Sequence, residues 1–380
     1  MVPGNSTLES VLQIESQLHI SHKKVLEYLK RHNKATRAEI AKATGLSNQT
    51  LTRLTKQLID LNIISEDSKV SGLRGQPAIY LRIISGVFAC IGIVFEHDRI
   101  VVLVDDLSGE NLIRLSKEGT FLTAELAIKS ATAMLNEAYS KIPSALKTLG
   151  IGISISGFFT NIEGRICSQQ DPQGWSKIDW QETFAHKYHC PCYVENDGCA
   201  ASIGFSLSKA GAKLHSFFLL LFTLDIGGGF VFEGQLVNGT YGNAGEIAAL
   251  FSSDLNSARP TEGSLYNYLN KVWEEPVTNE NIVSAFNQKD TNIKSWITAC
   301  VETMKFPLKS IQSLLDPEAI IFTGRLPIEI QQELSEKVVV SGPSYGDVYA
   351  PTPTILVDYD QNILEKGVTA IPAFYFFNGS

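Results

Sequence analysis

Long apolar runs, a disulfide framework and a secretion signal are all missing from this sequence. No segment approaches the roughly 20 consecutive apolar residues needed to span a bilayer, and the most apolar stretch, residues 217–224, has the length of a buried strand. The six cysteines are scattered, and the N-terminus has no basic start followed by an apolar stretch. These absences favour a cytoplasmic protein that has no membrane partner.

The chain also has no overall excess of positive charge, since 32 Lys or Arg face 40 Asp or Glu and the net charge is −8. The charge is distributed unevenly along the chain, however. Residues 21–83 contain twelve Lys or Arg and five Asp or Glu, a net charge of +7, which leaves −15 for the remainder. A small basic segment beside a large acidic one predicts that only the small segment binds a polyanion such as DNA.

The length of 380 residues exceeds that of one ordinary domain and suggests two or three domains. Residues 1–20 are weakly patterned, and we expect them to form an N-terminal tail or short arm. The basic segment over residues 21–83 has the size of a small DNA-binding domain. Residues 84–380 remain for a larger domain of a different pattern.

Capping residues mark two short helices in the basic segment. Thr36 is placed to cap a helix over residues 37–44, with Glu39 three residues later as in a capping box, and Gly45 ends that helix in a tight turn. Ser47 then caps the next helix. Two helices joined by a short glycine turn are typical of the helix-turn-helix motif, whose second helix enters the major groove of DNA.

The second of these helices begins with polar side chains of the types that read base edges. Leucines at positions 51, 54, 58 and 61 line its opposite face, so the polar side chains should point outward. The residues predicted to contact DNA in this helix are Ser47, Asn48, Gln49, Thr50 and Arg53.

A glycine-rich hairpin follows the helix-turn-helix. Residues 63–66 and 78–83 predict its two strands, and residues 70–77 predict a wing tip that contains Arg74 and Gln76. Arg74 is suited to the negative potential of a minor groove, and both residues are predicted to contact DNA. The pattern therefore predicts a winged helix-turn-helix domain; the alternative is a three-helix packing module with a solvated basic face.

From residue 86 onward, strands alternate with helices, which predicts an α/β fold. Glycine-rich turns follow several of the strands, at the positions where α/β folds bind ligands. One of these, residues 227–229, is interpreted as a tight hairpin turn. The predicted strands cover residues 88–95, 100–105, 150–156, 193–195, 217–224 and 319–322.

Four motifs, in this order along the chain, resemble those of the ROK family of repressors, open reading frames and sugar kinases. They cover residues 194–201, 227–229, 242–247 and 315–324. The wing sequence over residues 74–77 also resembles family regulators of the N-acetylglucosamine and xylose repressor type. The resemblance implies a two-lobed actin/hexokinase-like fold for residues 84–380, with a cleft near residues 195–197.

The resemblance also implies roles for individual residues. In family kinases an Asn-Asp pair holds the sugar, and its Asp is the general base; these positions fall on Asn196 and Asp197. An amide beside a carboxylate suits sugar hydroxyls, because together they donate and accept hydrogen bonds. The alternative is that this pair merely caps the helix that begins near Gly198. The residues expected to bind a sugar are Asn196, Asp197, Gly245, Glu246, Ser156 and Gly157.

The phosphate-binding motif of family kinases, however, is degenerate in this sequence. At the end of the first hairpin strand the family's Asp is replaced by Val94, and its two glycines are replaced by Glu96 and His97. Side chains then occupy the space that phosphates need, and Glu96 and Asp98 place negative charge there. We therefore expect a pseudo-kinase with no catalytic residues, in which Asp197 only marks the position of the general base.

The family's zinc site is expected to be absent, and no cofactor is predicted. The family's conserved His is replaced by Ala249, and the cysteine-rich loop appears as residues 263–266 without cysteines, where Tyr266 replaces a sugar-binding Glu. A second group, residues 186–192, contains two His and two Cys. Its spacing matches no zinc pattern, so buried thiols and surface histidines are the preferred interpretation.

These observations predict a transcription repressor of carbohydrate genes. It would bind operator DNA as a homodimer or homotetramer, since two-fold oligomers match palindromic operators, and a sugar or sugar derivative in the cleft would modulate that binding by changing the angle between the lobes. Two alternatives remain open. One is an active sugar kinase fused to a DNA-binding domain, and the other is a regulator whose cleft binds a protein partner.

Overall fold

The computed structural model describes the chain except for residues 1–10, 12, 15, 70–78, 163, 169–173, 253–257 and 379–380. The chain forms two compact units. The first consists of Met1–Glu195, Ile203–Ala212 and Glu365–Ser380, and the second of residues 196–202 and Lys213–Leu364. Among the described helices, none combines the length and the apolar composition needed to cross a bilayer.

The first unit begins with a three-helix domain and a small antiparallel sheet, of strand order β1-β3-β2. Strand β1 was not predicted, because its three residues are too few to show an alternating pattern. The elements of this three-helix domain are α1 (Ile20–His32), β1 (Lys34–Thr36), α2 (Arg37–Thr44), α3 (Asn48–Asp60), β2 (Ile64–Lys69) and β3 (Ile79–Ile83). Helix α2, the turn and α3 form the predicted helix-turn-helix, and β2 and β3 form the predicted hairpin.

The predicted caps are confirmed. Thr36 Oγ1 accepts a hydrogen bond from Glu39 N over 3.3 Å, and the Glu39 carboxylate accepts one from Thr36 N over 2.7 Å. Gly45 follows α2 with a φ of 70°, the left-handed conformation that favours glycine. Ser47 Oγ accepts a hydrogen bond from Thr50 N over 3.1 Å at the start of α3. These local contacts fix where both helices begin and end.

Val11 and Leu18, which lie inside the segment expected to be a tail, are both buried in a hydrophobic core. The same core contains the apolar side chains of α1, α2 and α3. The chain is therefore packed against the helices before α1 begins.

The first unit continues with a five-stranded sheet of order β10-β7-β4-β5-β6. Strand β4 pairs with β7 in parallel and with β5 in antiparallel orientation. Apolar side chains of α4 and α5 pack with the central strands in one core. The elements are β4 (Phe88–Phe95), β5 (Arg99–Asp106), β6 (Asn111–Glu118), α4 (Ala124–Lys141), β7 (Lys147–Ile155), β8 (Phe158–Phe159), β9 (Ile166–Cys167), α5 (Trp180–Tyr188) and β10 (Cys192–Asn196).

The second unit contains a five-stranded sheet of order β13-β12-β11-β14-β17. Side chains of α7 to α10 pack with this sheet in a separate core. Helix α6 (Asp197–Ser206) begins in this unit. The other elements are β11 (Phe217–Phe222), β12 (Ile226–Phe232), β13 (Gln235–Leu236), α7 (Glu262–Val272), α8 (Asn279–Asn287), α9 (Thr291–Leu315), β14 (Ala319–Gly324), α10 (Ile328–Lys337), β15 (Ser344–Tyr345), β16 (Val348–Tyr349) and β17 (Thr354–Val357).

The interpretation of residues 227–229 as a tight turn is wrong, because all three glycines lie inside β12. They pair with β11 along the strand. A Cβ at Gly229 would lie 2.3 Å from Ser202 Oγ and 2.6 Å from Gly198 O, both in α6. The glycines therefore allow the start of α6 to approach the sheet closely, which a larger residue would prevent.

The last helix, α11 (Ile363–Asn378), returns the chain to the first unit. It packs against the face of the five-stranded sheet at glycines of β4 and β7. A Cβ at Gly152 would lie 2.2 Å from Val368 O, and one at Gly92 would lie 2.6 Å from a Val368 methyl group. Arg114 of β6 forms a bidentate ion pair with Glu365 of α11, with both N–O distances at 2.8 Å.

Candidate functional site

The polar face of α3 is exposed as predicted. Leu51, Leu54 and Leu58 are buried beneath the helix, so the opposite face is presented to solvent. The exposed residues of this face include Asn48, Gln49, Thr52, Arg53 and Lys56. Thr52 and Lys56 were not among the predicted contacts, although their spacing from Gln49 and Arg53 places them on the same face.

Ser47 and Thr50, by contrast, are engaged in capping. Ser47 Oγ accepts the Thr50 backbone N–H and also lies 2.9 Å from Thr50 Oγ1. A hydroxyl that bonds to its own helix has less capacity left for a base edge. Asn48, Gln49 and Arg53 are therefore the predicted residues that remain best suited to contact DNA.

Arg37, at the start of α2, holds the recognition helix α3 against the wing. Its Nε donates to Thr55 Oγ1 over 3.0 Å, and its Nη2 lies 2.7 Å from Glu66 Oε1. One side chain thus joins α2, α3 and β2. This role of Arg37 was not predicted, because no local pattern relates residues so far apart in the chain. Arg74 and Gln76, the predicted wing contacts, lie outside the described residues.

A second group of polar side chains lies where β10 meets α6, in the second unit. Asn196 Nδ2 donates to Glu246 Oε1 over 2.7 Å, and Asn196 Oδ1 accepts a hydrogen bond from Cys199 N over 2.7 Å. Asp197 Oδ1 accepts one from Gly198 N over 2.8 Å. We call Asn196, Asp197 and Glu246 the Asn196 cluster. Asn196 thus caps α6 and also contacts Glu246, so capping and clustering coexist.

The Asn196 cluster is largely shielded from water. Asn196 and Asp197 expose only 3% and 8% of their surfaces. Burial raises the pKa of Glu246 to about 7, and the charges of Asp197 and Asp225 raise it further, whereas the hydrogen bond from Asn196 opposes this rise. Burial therefore favours the neutral, protonated form of Glu246, which can donate a hydrogen bond as well as accept one.

Gly245 positions Glu246 beside β12. Its φ is 100°, and an added Cβ would lie 2.8 Å from Gly228 O. Four of the six predicted sugar-binding residues thus come together in the second unit. The other two, Ser156 and Gly157, follow β7 in the first unit, where Gly157 has a φ of 152° and packs against the Cys167 carbonyl of β9.

The stretch predicted to be a degenerate phosphate motif forms a tight turn between β4 and β5. Val94 is buried inside β4, and Glu96 N donates to Arg99 O over 3.0 Å. The Glu96 carboxylate contacts the Arg99 guanidinium and is almost fully buried. Arg99 therefore offsets part of the negative charge that was predicted at this turn. His97 lies exposed at the tip of the turn.

Two ion pairs occupy the carboxyl-terminal edge of the sheet in the second unit. Asp225, just before β12, lies 3.2 Å from Arg259, and Glu262 lies 2.9 Å from Arg325, which follows β14. Glu262 N also donates to the Thr223 carbonyl over 2.9 Å. Neither ion pair was predicted, because the paired residues are 34 and 63 positions apart in the chain. They place acidic side chains at an edge where open α/β sheets bind ligands.

The residues at the position of the family's zinc loop do not fit a metal. Tyr266 lies on α7, and its hydroxyl donates to Asn279 Oδ1 over 3.1 Å. Within the described part of the chain, no group of three or more His, Cys, Asp or Glu is arranged to hold a metal ion. In the histidine- and cysteine-containing segment, His186 and His189 are exposed whereas Cys190 and Cys192 are buried, as predicted.

Comparison with curated proteins gives relatives along most of the chain. Residues 18–65 match the winged helix-turn-helix DNA-binding family, and residues 90–252 match the ROK family. An uncharacterized protein of Sinorhizobium fredii is 26% identical and covers 88% of this chain and 86% of its own length. The xylose repressor of Bacillus spizizenii is 21% identical and covers 94% of this chain and 96% of its own length.

Solved structures share the fold. A ROK family transcriptional regulator, described as a homologue of the E. coli MLC protein, superposes with a TM-score of 0.69 at 17% identity over 94% of this chain and 96% of its own. A ROK family glucokinase from Streptomyces griseus superposes with a TM-score of 0.60 at 18% identity over 74% of this chain and 98% of its own. The chain thus joins an N-terminal winged helix-turn-helix DNA-binding domain to a ROK family domain of actin/hexokinase-like fold.

Proposed function

We propose that this protein is a transcription repressor of carbohydrate genes, which binds operator DNA through α3 and the wing. The observation that carries this proposal is the exposed polar face of α3, held in place by two caps and by Arg37. The basic charge of residues 21–83 supplies the attraction to phosphates. The xylose repressor among the relatives supports the same conclusion.

The effector we propose is a sugar or sugar derivative bound at the Asn196 cluster. The cluster offers an amide and two carboxylates that donate and accept hydrogen bonds, as neighbouring sugar hydroxyls require. Asn196 and Glu246 are already aligned by their mutual hydrogen bond, so a ligand would meet a preorganised site.

We further propose that the protein does not transfer phosphate. Phosphoryl transfer needs backbone N–H groups and cations that remain available to the phosphates. The β4–β5 turn here is closed by Glu96 and Arg99, and at the sheet edge of the second unit Arg259 and Arg325 are paired with Asp225 and Glu262. Incubation with MgATP and a panel of sugars is expected to yield no ADP above background; sugar-dependent ADP would favour a kinase fused to a DNA-binding domain.

The test of regulation is binding of the purified protein to its own upstream intergenic DNA, at stated salt, with and without sugars and sugar phosphates. We expect specific binding that one sugar weakens. Binding that no sugar alters would instead favour a ROK domain that binds a protein partner, and the loss of the family's His at Ala249 is the feature that suits this second candidate. Sedimentation of the DNA complex would show whether a homodimer or a homotetramer binds.

The variant Asp197→Ala distinguishes the function of the effector site from that of the DNA-binding domain. We expect it to abolish release of DNA by the sugar while leaving DNA affinity unchanged, because Asp197 belongs to the Asn196 cluster and not to the DNA-binding domain. Asp197→Asn is the matched variant, since its amide oxygen still accepts the hydrogen bond from Gly198 N. Normal release of DNA by the sugar in both variants would show that the effector binds elsewhere.

A further inference from the structure

The connection between the DNA-binding domain and the five-stranded sheet is short. Only residues 84–87 separate β3 from β4. Both ends of this connector are hydrogen bonded: Ile84 N donates to Ile63 O, and Lys147 N donates to Val87 O, each over 2.9 Å. A flexible tether requires many residues without such contacts, so this connector leaves the DNA-binding domain little freedom.

The DNA-binding domain and the sheet also share one hydrophobic core. Leu26 and Leu29 of α1 belong to the same buried cluster as Phe88 of β4 and Phe376 of α11. The rings of Phe88 and Phe376 have their centroids 6.3 Å apart. Two domains that merely follow each other in sequence would each have their own core. Here, separating them would expose apolar surface on both sides.

Side chains of both helices, among them Lys30 of α1 and Ala373 and Phe377 of α11, line one recess.

Lys30 is a polar residue that spans the contact. It lies in the last turn of α1, and its ammonium donates to the Leu107 carbonyl in the turn between β5 and β6. That turn is rigid, because Asp106 Oδ1 accepts hydrogen bonds from Ser108 N and Glu110 N over 2.8 and 3.0 Å. Burial lowers the pKa of Lys30, whereas the nearby charges of Asp105 and Asp106 oppose this fall.

We propose that Lys30 is a positioning residue that docks the DNA-binding domain on the five-stranded sheet, so that the two form one rigid body. The hydrogen bond to the Leu107 carbonyl constrains the direction of approach as well as the distance. An apolar side chain at position 30 would fill the same space without constraining that direction. The shared core and the Lys30 hydrogen bond together hold the domains in contact, and Lys30 also fixes their relative orientation.

Rigid docking has a consequence for DNA that rests on the proposed function. In an oligomer, the separation of two recognition helices is then set by the protein and cannot adjust to the DNA. One added base pair moves a half-site by about 3.4 Å and rotates it by about 34°. The protein should therefore be strict about half-site spacing, whereas a tethered domain would tolerate such changes.

The first test needs neither DNA nor ligand. Hydrogen exchange is measured by mass spectrometry on the full chain, and peptides from α1 and α3 are compared with peptides from β4 and β5. In the wild type we expect protection factors that agree within about tenfold, since one rigid body opens as a unit. Lys30→Met should lower protection of α1 and α3 by at least about tenfold and leave β11 unchanged.

Two variants control this test. Lys24→Met removes an equal charge from an exposed position of the same helix and should leave exchange unaltered. Lys30→Arg keeps a cationic donor and should restore most of the protection. If wild-type α1 and α3 exchange about a hundredfold faster than β4, or if Lys30→Met behaves like Lys24→Met, the proposed docking is wrong.

The second test measures orientation. An operator selected from random duplex DNA is prepared with its spacer lengthened or shortened by one base pair. Wild type and Lys24→Met should lose at least about tenfold in affinity for both altered spacers, whereas the loss for Lys30→Met should fall to about threefold or less. Equal affinity of the wild type for all three duplexes would overturn the inference. If no duplex is selected, the proposed DNA function fails, and hydrogen exchange alone decides the docking.

Discussion

The recognition helix α3 and the Asn196 cluster are both built from polar side chains, but they use them in opposite ways. On α3, Asn48, Gln49 and Arg53 extend into solvent. In the Asn196 cluster, Asn196 and Asp197 are buried, and Asn196 is hydrogen bonded to Glu246. A surface meant for a large polyanion can leave its groups hydrated until the partner arrives. A site for a small ligand gains more from groups that are already ordered.

The two regions also differ in how strongly a substitution changes the stability of the fold. Exposed polar residues on a helix face change stability little when they are replaced. Buried polar groups depend on every partner, because the loss of one leaves another without its hydrogen bond. Variants in the Asn196 cluster should therefore affect folding and ligand response together, whereas variants on α3 should affect DNA binding alone. Four substitutions test this division.

The largest effect is expected from Asn196→Ala. It removes the cap of α6 at Cys199 N and leaves Glu246 without its donor. We expect the free energy of unfolding to fall by about 2–3 kcal/mol, measured by urea denaturation. Asn362→Ala, at an exposed position of the same unit, is the control and should change stability little. Equal stability of both variants would show that the cluster does not support the fold.

Arg53→Ala should separate binding from folding. We expect operator affinity to fall by about 1–3 kcal/mol, about 5- to 150-fold, if Arg53 reads a base, with no change in the urea midpoint. Lys305→Ala removes one positive charge from an exposed helix of the second unit and is the control. A loss of similar size at Lys305 would indicate that general charge, and not the face of α3, determines affinity.

Glu246→Gln should alter the pH dependence of stability. Because its pKa in the folded chain is raised to about 7 from an ordinary value near 4.5, the native state holds a proton that the unfolded chain releases in this window. The free energy of unfolding of the wild type therefore falls as pH rises from about 4.5 to 7. The variant keeps the acceptor for Asn196 and should be about 1–2 kcal/mol more stable at pH 8. Parallel pH profiles would contradict this.

Ser47→Ala should produce the smallest change, a loss of about 1 kcal/mol in stability from the missing cap. Operator affinity should weaken by no more than this loss accounts for, measured at a temperature where both proteins are folded. Ser47→Asn, whose side chain also caps helices, should restore stability. A large loss of affinity with Asn at this position would show that the serine hydroxyl contacts DNA after all.

The DNA-binding domain was predictable from the sequence to within a residue or two at most helix ends. Helix α2 lies between its caps Thr36 and Gly45, and α3 begins after its cap Ser47; each of these signals acts over four residues or fewer. In the larger domain, by contrast, strand β6 was not predicted, because it is largely exposed and mixes charged with apolar residues. Such an edge strand is recognised by its neighbour in the sheet and not by its own composition.

The sequence predicted where the motifs of the ROK domain lie, but not the structural role of each motif. The sequence placed Asn196 and Glu246 in one site only through resemblance, and the structure brings them within hydrogen-bonding distance. The run at Gly227, Gly228 and Gly229 was misinterpreted, because glycine serves turns and close approaches equally well. Only the position of α6, which comes earlier in the chain, distinguishes the two uses.

The shared core also imposes an order on synthesis. Residues of α1 leave the ribosome early, but the side chains of Phe376 and Phe377 that complete their core are made much later. The nascent DNA-binding domain must therefore wait, with part of its apolar surface uncovered, until α11 arrives. A chain truncated before Glu365 would contain every residue that faces DNA and still lack the packing that orients them. The DNA-binding domain is therefore fully packed only in chains that contain α11.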